Sequence, residues 1–209
     1  MLMASPDVLS RADGIVARLR FGNLGGSSVR TSQPRIQPLE PDQWDADTAK
    51  FMERFDNVLN IFKTLINHPE LMRRWMVFAN HVLGKSTLAF RERELLILRI
   101  GYLCQAGYEW GQHVLIAQAG GVSDDDIRRV KQGPDAEGWS EIDRALIKAT
   151  DELHDDAHIS DATWQALAEH YDDKQMMDIV FTVGQYNLVS MALNSFGVQA
   201  DPGLPGFDI

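Results

Sequence analysis

From Asp45 onward, apolar side chains recur every three to four residues, the spacing that lines one face of an α-helix. Phe51, Phe55, Val58, Leu59, Phe62, Leu65 and Ile66 form one such stripe and predict a single helix ending near His68-Pro69. Pro69 suits the first turn of a second helix, through Leu71, Trp75, Phe78 and Val82, which stops at Gly84. A third helix is predicted from about Leu88 to Cys104, and a fourth from about Tyr108 to Ala119, closed by Gly120-Gly121. Ser123 with Asp126, and Ser140 with Asp143, have the spacing of N-terminal caps. Ser160 or Asp161 opens a helix through Trp164 and Leu167, and a last long helix covers roughly 173–196. No alternating apolar and polar run of useful length competes with this pattern. The expected fold is all-α, with about eight helices and no repeat of 20 to 50 residues.

Proline placement supports the same division. The eight prolines stand at 6, 34, 38, 41, 69, 134, 202 and 205, leaving 70–133 and 135–201 free of them. Because proline costs about 3 kcal/mol inside a helix, two long proline-free spans suit a helical bundle. Residues 21–43 are rich in Gly, Ser and Pro, so 1–43 reads as an N-terminal extended arm or linker with room for a short helix. The helical domain is expected over 44–200 and a C-terminal tail over 201–209.

Composition narrows the functional classes. With 209 residues, 44% of them hydrophobic and 24% charged, the chain is long enough for one substantial core. Thirty acidic side chains against 20 basic ones give a formal charge of −10, which argues against a nucleic-acid partner, since phosphate binding needs clustered Lys and Arg. No stretch approaches the ~20 apolar residues of a membrane span, so no membrane partner is expected. Arg11, Asp13, Arg18 and Arg20 interrupt any apolar export signal near the start, and a cytoplasmic location is expected. Cys104 is the single cysteine, which excludes a disulfide within one chain.

The segment that could carry chemistry is 91–121, RERELLILRIGYLCQAGYEWGQHVLIAQAGG. Glu109 and His113 are four residues apart and therefore neighbours on one helical face. Glu94 enters a helix otherwise dominated by Leu and Ile, so its carboxylate must find solvent or a partner. A buried carboxyl beside an imidazole is equipped for proton transfer, and equally for a structural ion pair. Glu94, Glu109 and His113 also offer two oxygens and a nitrogen to a divalent cation, but their spacing matches neither the Glu-x-x-His of di-iron bundles nor the His-Glu-x-x-His of zinc helices. No metal and no cofactor is therefore expected. Asp151, His154, Asp155 and His158 read as a solvated helix end. Gln185, Tyr186, Asn187, Asn194 and Ser195, among apolar neighbours, need hydrogen-bond partners; they read first as helix packing at a subunit interface, with contacts to the site or the substrate as the alternative.

The Glu94-to-His113 spacing, the preceding Arg-Glu-Arg-Glu-Leu, the Tyr108-Glu109-Trp110 triplet and the closing Ala119-Gly120-Gly121 resemble the carboxymuconolactone decarboxylase family of the alkylhydroperoxidase D superfamily. The resemblance implies an alkylhydroperoxidase D-like helical bundle, assembled as a homo-oligomer (trimer or hexamer) with its site at a subunit boundary. Peroxidase members carry Cys-x-x-Cys-x-x-x-His, and counting back from His113 those positions hold Ala106 and Glu109. On a continuous helix Cys104 would point about 200° away from position 106, and it has no resolving partner. The resemblance therefore implies the decarboxylase branch, a lyase of aromatic-compound catabolism acting without a cofactor on a small carboxylated or lactone-type substrate. In that reading His113 is the general acid/base, with Glu94 orienting it and Glu109 tuning the pair. Arg91, Arg93 and Arg99 are candidate carboxylate clamps, and Tyr108 and Trp110 are substrate-side walls or core. A thiol peroxidase and a non-catalytic helical binding protein are the alternatives, and a cavity beside Glu94 and His113 is what catalysis requires.

Overall fold

Short polar caps and glycines stop and start the helices where the spacing places them. The computed structural model describes residues 29–55 and 57–209, so most of the expected N-terminal arm lies outside the described residues. After one 3-10 turn at Pro41–Gln43, the described residues form nine α-helices and no strand. These are α1 (Ala46–Met52), α2 (Asn60–Leu65), α3 (Pro69–Gly84), α4 (Phe90–Leu103), α5 (Gly107–Ala119), α6 (Asp124–Gln132), α7 (Glu141–Asp156), α8 (Asp161–Ala168) and α9 (Asp173–Phe196). Ser123, Ser140 and Ser160 each accept the backbone N–H three residues on, at 3.1, 3.1 and 3.4 Å. Each such cap stabilises its helix by about 1 kcal/mol.

The single helix predicted over 51–66 is instead two. α1 ends at Met52 and α2 begins only at Asn60. Contacts distant in sequence override the local periodicity here: the Asn60 N–H donates to Asp201 Oδ1 at 3.0 Å and its side chain to the Gln199 carbonyl at 3.1 Å. Phe55 meanwhile folds beneath Phe62, with ring centroids 4.6 Å apart. The stripe still marks core, because Met52, Phe55 and Ile66 pack with Met72 and Met76 of α3.

α4 is the centre of the molecule, packed against α5, α6, α7 and α9. Eight consecutive residues, Glu94 to Gly101, are buried, so this helix is enclosed on every side. Leu96, Ile97 and Ile100 join a cluster with α7 and α9, while Leu95 and Leu98 join a second with Trp110, Val114, Ile127 and Val130. Each fully buried Leu or Ile contributes about 1.5–3 kcal/mol, so the polar members of the same run are what require explanation. Gly120 permits one tight contact in this core, since a Cβ there would lie 1.9 Å from the Phe90 ring.

Both flanking segments pack on the bundle. Arg35 and Ile36 donate their backbone N–H groups to the Phe196 carbonyl at 2.8 and 3.1 Å. The tail crosses α5: the Trp110 indole donates to the Gly206 carbonyl at 2.9 Å, and Phe207 lies 5.6 Å from both Tyr102 and Trp110. No helix of the described residues is long and apolar enough to cross a membrane.

Candidate active site

α4 and α5 are joined by a tight turn in which Gln105 takes a left-handed backbone conformation, with φ 50°. The turn lays the two helices side by side and brings Glu94 to His113 across 19 residues of sequence. His113 Nδ1 lies 2.7 Å from Glu94 Oε2, and His113 Nε2 lies 3.1 Å from Glu109 Oε1. A neutral imidazole has only one N–H, so satisfying both carboxylates requires the doubly protonated ring. Burial alone lowers the His113 pKa, but the Glu94 charge and the hydrogen bonds to Glu109 and Glu94 outweigh it and hold the value at about 9.

The group is almost closed to solvent. Side-chain exposure is 0% for Glu94, 5% for His113 and 7% for Glu109. Arg93 donates to Glu94 Oε1 from Nε at 3.2 Å and from Nη2 at 3.0 Å, and it is itself anchored on the Leu83 carbonyl at 2.7 Å. Two cations and two anions thus balance within one cluster. From α9, the Tyr186 ring stands edge-on to the imidazole, with centroids 4.8 Å apart. Burial, then the charges of Glu109 and Glu94, push the Tyr186 hydroxyl well above its ordinary pKa, so it stays neutral beside the imidazolium.

The remaining candidates go elsewhere. Arg91 bridges Asp126 and Asp143, with its shortest bond, 2.6 Å, to Asp143. Arg99 forms a two-pronged pair with Asp151 at 2.6 and 2.8 Å and donates to the Val130 and Lys131 carbonyls at the end of α6. Tyr108 donates its hydroxyl to Asp201, and Gln112 adds a bond to the same carboxylate at 2.9 Å, which fastens the tail to α5 and α2. Trp110 is fully buried in the core. Asp151 is thereby taken from the 151–158 cluster, where His154 pairs with the exposed Asp155 at 2.7 Å.

Two contributors had weak sequence signals. Arg93 carried one in its adjacency to Glu94, though as a clamp for substrate and not for Glu94 itself. Tyr186 stands 73 residues from His113 and was marked only as one of several polar residues in an apolar helix, because only the packing of α9 across α4 and α5 makes it a neighbour. Cys104 caps the end of α4 and does not lie on α5, so rotation about a continuous helix is not what separates it from position 106. Its thiol donates to Asn187 Oδ1 at 3.2 Å, and burial raises its pKa. Among the described residues no cluster of three His, Cys, Asp or Glu side chains has the arrangement of a metal site.

Fold and site together define an all-helical bundle whose core carries an imidazole between two carboxylates on adjacent helices. Residues 69–152, from the start of α3 into α7, match the carboxymuconolactone decarboxylase family, and the matched segment lacks the Cys-x-x-Cys pair. Among solved structures it is similar to an alkylhydroperoxidase AhpD core protein, an uncharacterized peroxidase-related protein from Ralstonia eutropha JMP134. That match has 19% identity and a TM-score of 0.70 over 81% of this chain and 93% of that one. A peroxidase-related protein from Silicibacter sp. TM1040 matches at 16% identity and TM-score 0.66, over 89% and 98% of the two chains. The debrominase Bmp8, in complex with 2,3,4-tribromopyrrole, matches at 14% identity and TM-score 0.64, over 83% and 95%. At these identities the likeness establishes the shared alkylhydroperoxidase D-like fold. No curated protein matches the sequence.

Proposed function

We propose that the protein is a carboxymuconolactone decarboxylase-like lyase that performs cofactor-free acid/base chemistry on a small carboxylated or lactone-type ring. The observation that carries this reading is the engagement of both His113 nitrogens by carboxylates, at 2.7 and 3.1 Å, on the two helices of the family segment. In decarboxylation the carbon–carboxylate bond breaks heterolytically, CO2 departs, and the electron pair passes into a conjugated carbonyl as a dienolate. A proton must then return to carbon. The imidazolium of His113 supplies it and stabilises the developing negative charge, Glu94 holds the ring through Nδ1, and Glu109 is the carboxylate on the Nε2 side. Water restores the proton, so the net reaction consumes one proton and releases CO2.

The family match and the debrominase neighbour, whose bound tribromopyrrole is itself a small ring, support a compact cyclic substrate. Assembly as a trimer or hexamer in the cytoplasm belongs to the same proposal. The decisive experiment measures CO2 release from a panel of carboxylated lactones and enol-lactones, alongside a peroxide-consumption assay. Turnover of a lactone acid by fully alkylated protein supports the lyase, whereas peroxide consumption lost on alkylation of Cys104 replaces it with thiol chemistry.

A second reading is a non-catalytic helical binding protein in which the cluster is a structural ion network. Two observations favour it: the cluster balances its own charge, and two clefts on the surface are lined by residues other than Glu94, Glu109 and His113. The lyase reading requires the 5–7% exposure of His113 and Glu109 to widen when substrate enters. Hydrogen exchange of the α5 amides, faster than that of α4, would show such opening.

A further inference from the structure

The exposed positions of α7 are Glu141, Arg144, Lys148, Asp155 and Asp156, every one of them charged. α9 presents the opposite kind of face. From residue 175 onward its exposed positions are Met177, Phe181, Gly184, Leu188, Met191 and Ser195, with no charge among them, and the four large side chains are each more than half exposed. The inward side of the same helix is buried through Ile179, Val183, Tyr186 and Leu193, so α9 is apolar almost all round, the pattern of a helix covered on every side. Nothing among the described residues covers this stripe. Its spacing says what kind of surface meets it: steps of 4, 3, 4 and 3 residues from Met177 to Met191 give the repeat that keeps one seam of a helix facing another helix, here over about 21 Å. Gly184 stands at the centre of the stripe. Glycine is the poorest helix former after proline, and a Cβ at 184 would meet no atom within 4 Å among the described residues, so packing inside the chain does not call for it. A helix backbone crossing closely at that point does.

We propose that this face of α9 is a two-fold interface with a second copy of the chain, the two α9 helices crossing antiparallel at Gly184. The stripe is its own complement. Leu188 stands four residues after Gly184 and Phe181 three before it, while Met191 and Met177 stand seven after and seven before. A two-fold axis at Gly184 therefore sets Phe181 against Leu188 of the partner subunit, and Met177 against Met191 of the partner subunit. An unrelated partner would need no such symmetry. Leu71 of α3, beside Leu188 and Met191, widens the patch, and the charged side chains on the exposed face of α3 are already paired, Arg74 with Glu70 and His81 with Asp178. The exposed parts of the five large apolar side chains amount to on the order of 500 Å² per copy, so two copies bury about 1,000 Å², the least that a specific interface needs. A three-fold ring has no two-fold axis, so of the assemblies proposed with the lyase this face fits the hexamer and not a lone trimer, and it fits a plain dimer as well. The inference deepens the assembly part of that proposal and is independent of its chemistry.

Light scattering on the full chain at micromolar concentration should find an even number of copies. Gly184→Arg places a long charged side chain on the axis, where the chain itself leaves room, and should weaken the two-fold association at least 100-fold, halving the particle mass while the helical circular dichroism is retained. Leu188→Glu sets a carboxylate against the partner's Phe181 and should do the same, so it decides the matter if Gly184→Arg does not fold. In a Cys104→Ser background, Gly184→Cys brings two thiols together across the axis and should oxidise to a covalent dimer. Lys148→Cys, on the charged face of α7, should stay monomeric on a denaturing gel. The proposal is overturned by a wild type that is monomeric or trimeric, by an assembly whose mass neither charged variant changes, or by cross-linking no faster at 184 than at 148. A monomer that co-sediments with phosphatidylcholine vesicles also overturns it, the stripe then facing lipid. Lactone turnover by a monomer would overturn the interface and leave the lyase standing, whereas an even-numbered assembly dissociated by both charged variants but without turnover would do the reverse.

Discussion

Helix α4 buries two charged side chains five residues apart, Glu94 and Arg99, and they are held in opposite ways. Arg99 directs its guanidinium to fixed acceptors: both oxygens of Asp151 and two backbone carbonyls of α6. A guanidinium stays protonated at any accessible pH, so this joint locks α4 to α6 and α7 and moves no proton. Glu94 is paired as tightly, but one of its partners is an imidazolium that can give its proton up near pH 9. The contrast shows that burial of charge does not by itself mark chemistry. What distinguishes the two ends of α4 is whether the partner holds a proton that can leave.

The largest effect should come from removing that proton. His113→Gln leaves one amide against two carboxylates, preserves the helical circular dichroism, and should lower turnover of any lactone acid the wild type processes by at least about 100-fold. Turnover within threefold of wild type would place Glu94 and Arg99 in one class, both structural. Arg99→Ala should do the reverse. It strands Asp151 and two carbonyls, destabilises the fold by about 3–5 kcal/mol in denaturant titration, and leaves turnover per folded molecule unchanged. A large loss of turnover without loss of stability would show that Arg99 serves the reaction.

These two ends of α4 differ too in how far the sequence revealed them. Glu94, Glu109 and His113 were legible because helical spacing and a short α4–α5 turn fix their geometry locally. The caps at Ser123, Ser140 and Ser160 were legible for the same reason. The destinations of Arg91 and Arg99 were not, because Asp126, Asp143 and Asp151 lie 35 to 52 residues away and nothing in the local pattern orders α6 and α7 around α4. The break between α1 and α2 was hidden likewise, being imposed by Asp201 from the far end of the chain. Tyr108 and Trp110 stood in the triplet beside Glu109, yet their polar atoms answer to Asp201 and Gly206, partners that only the folded tail supplies.

The proton at His113 should also be visible in stability. Its folded pKa is raised from 6.5 to about 9, so the folded chain binds the proton more tightly than the unfolded chain. The resulting stabilisation is present in full below about pH 6.5 and is lost as pH rises through 9. A rise of that size is worth roughly 3 kcal/mol at most. The melting temperature of wild type relative to His113→Gln should therefore fall by several degrees between about pH 6.5 and 9.5. Arg99→Ala should retain that fall in full, because it leaves His113 and both of its carboxylates in place. A pH-independent difference between wild type and His113→Gln would mean that the ring is neutral when folded.

The smallest effect is expected where thiol chemistry would place the largest. Cys104 sits half-buried at the end of α4, its thiol bonded to Asn187 and its pKa raised by burial, whereas a reactive cysteine needs a lowered one. Serine keeps a donor at this position and removes little volume. Cys104→Ser should therefore change stability by no more than about 1 kcal/mol and leave lactone turnover within twofold, as should alkylation of the wild-type protein at neutral pH. If either treatment cost more than tenfold in turnover, the sulfur would join His113 among the reacting groups. The distinction between the two ends of α4 would then need a third term at the turn that follows it.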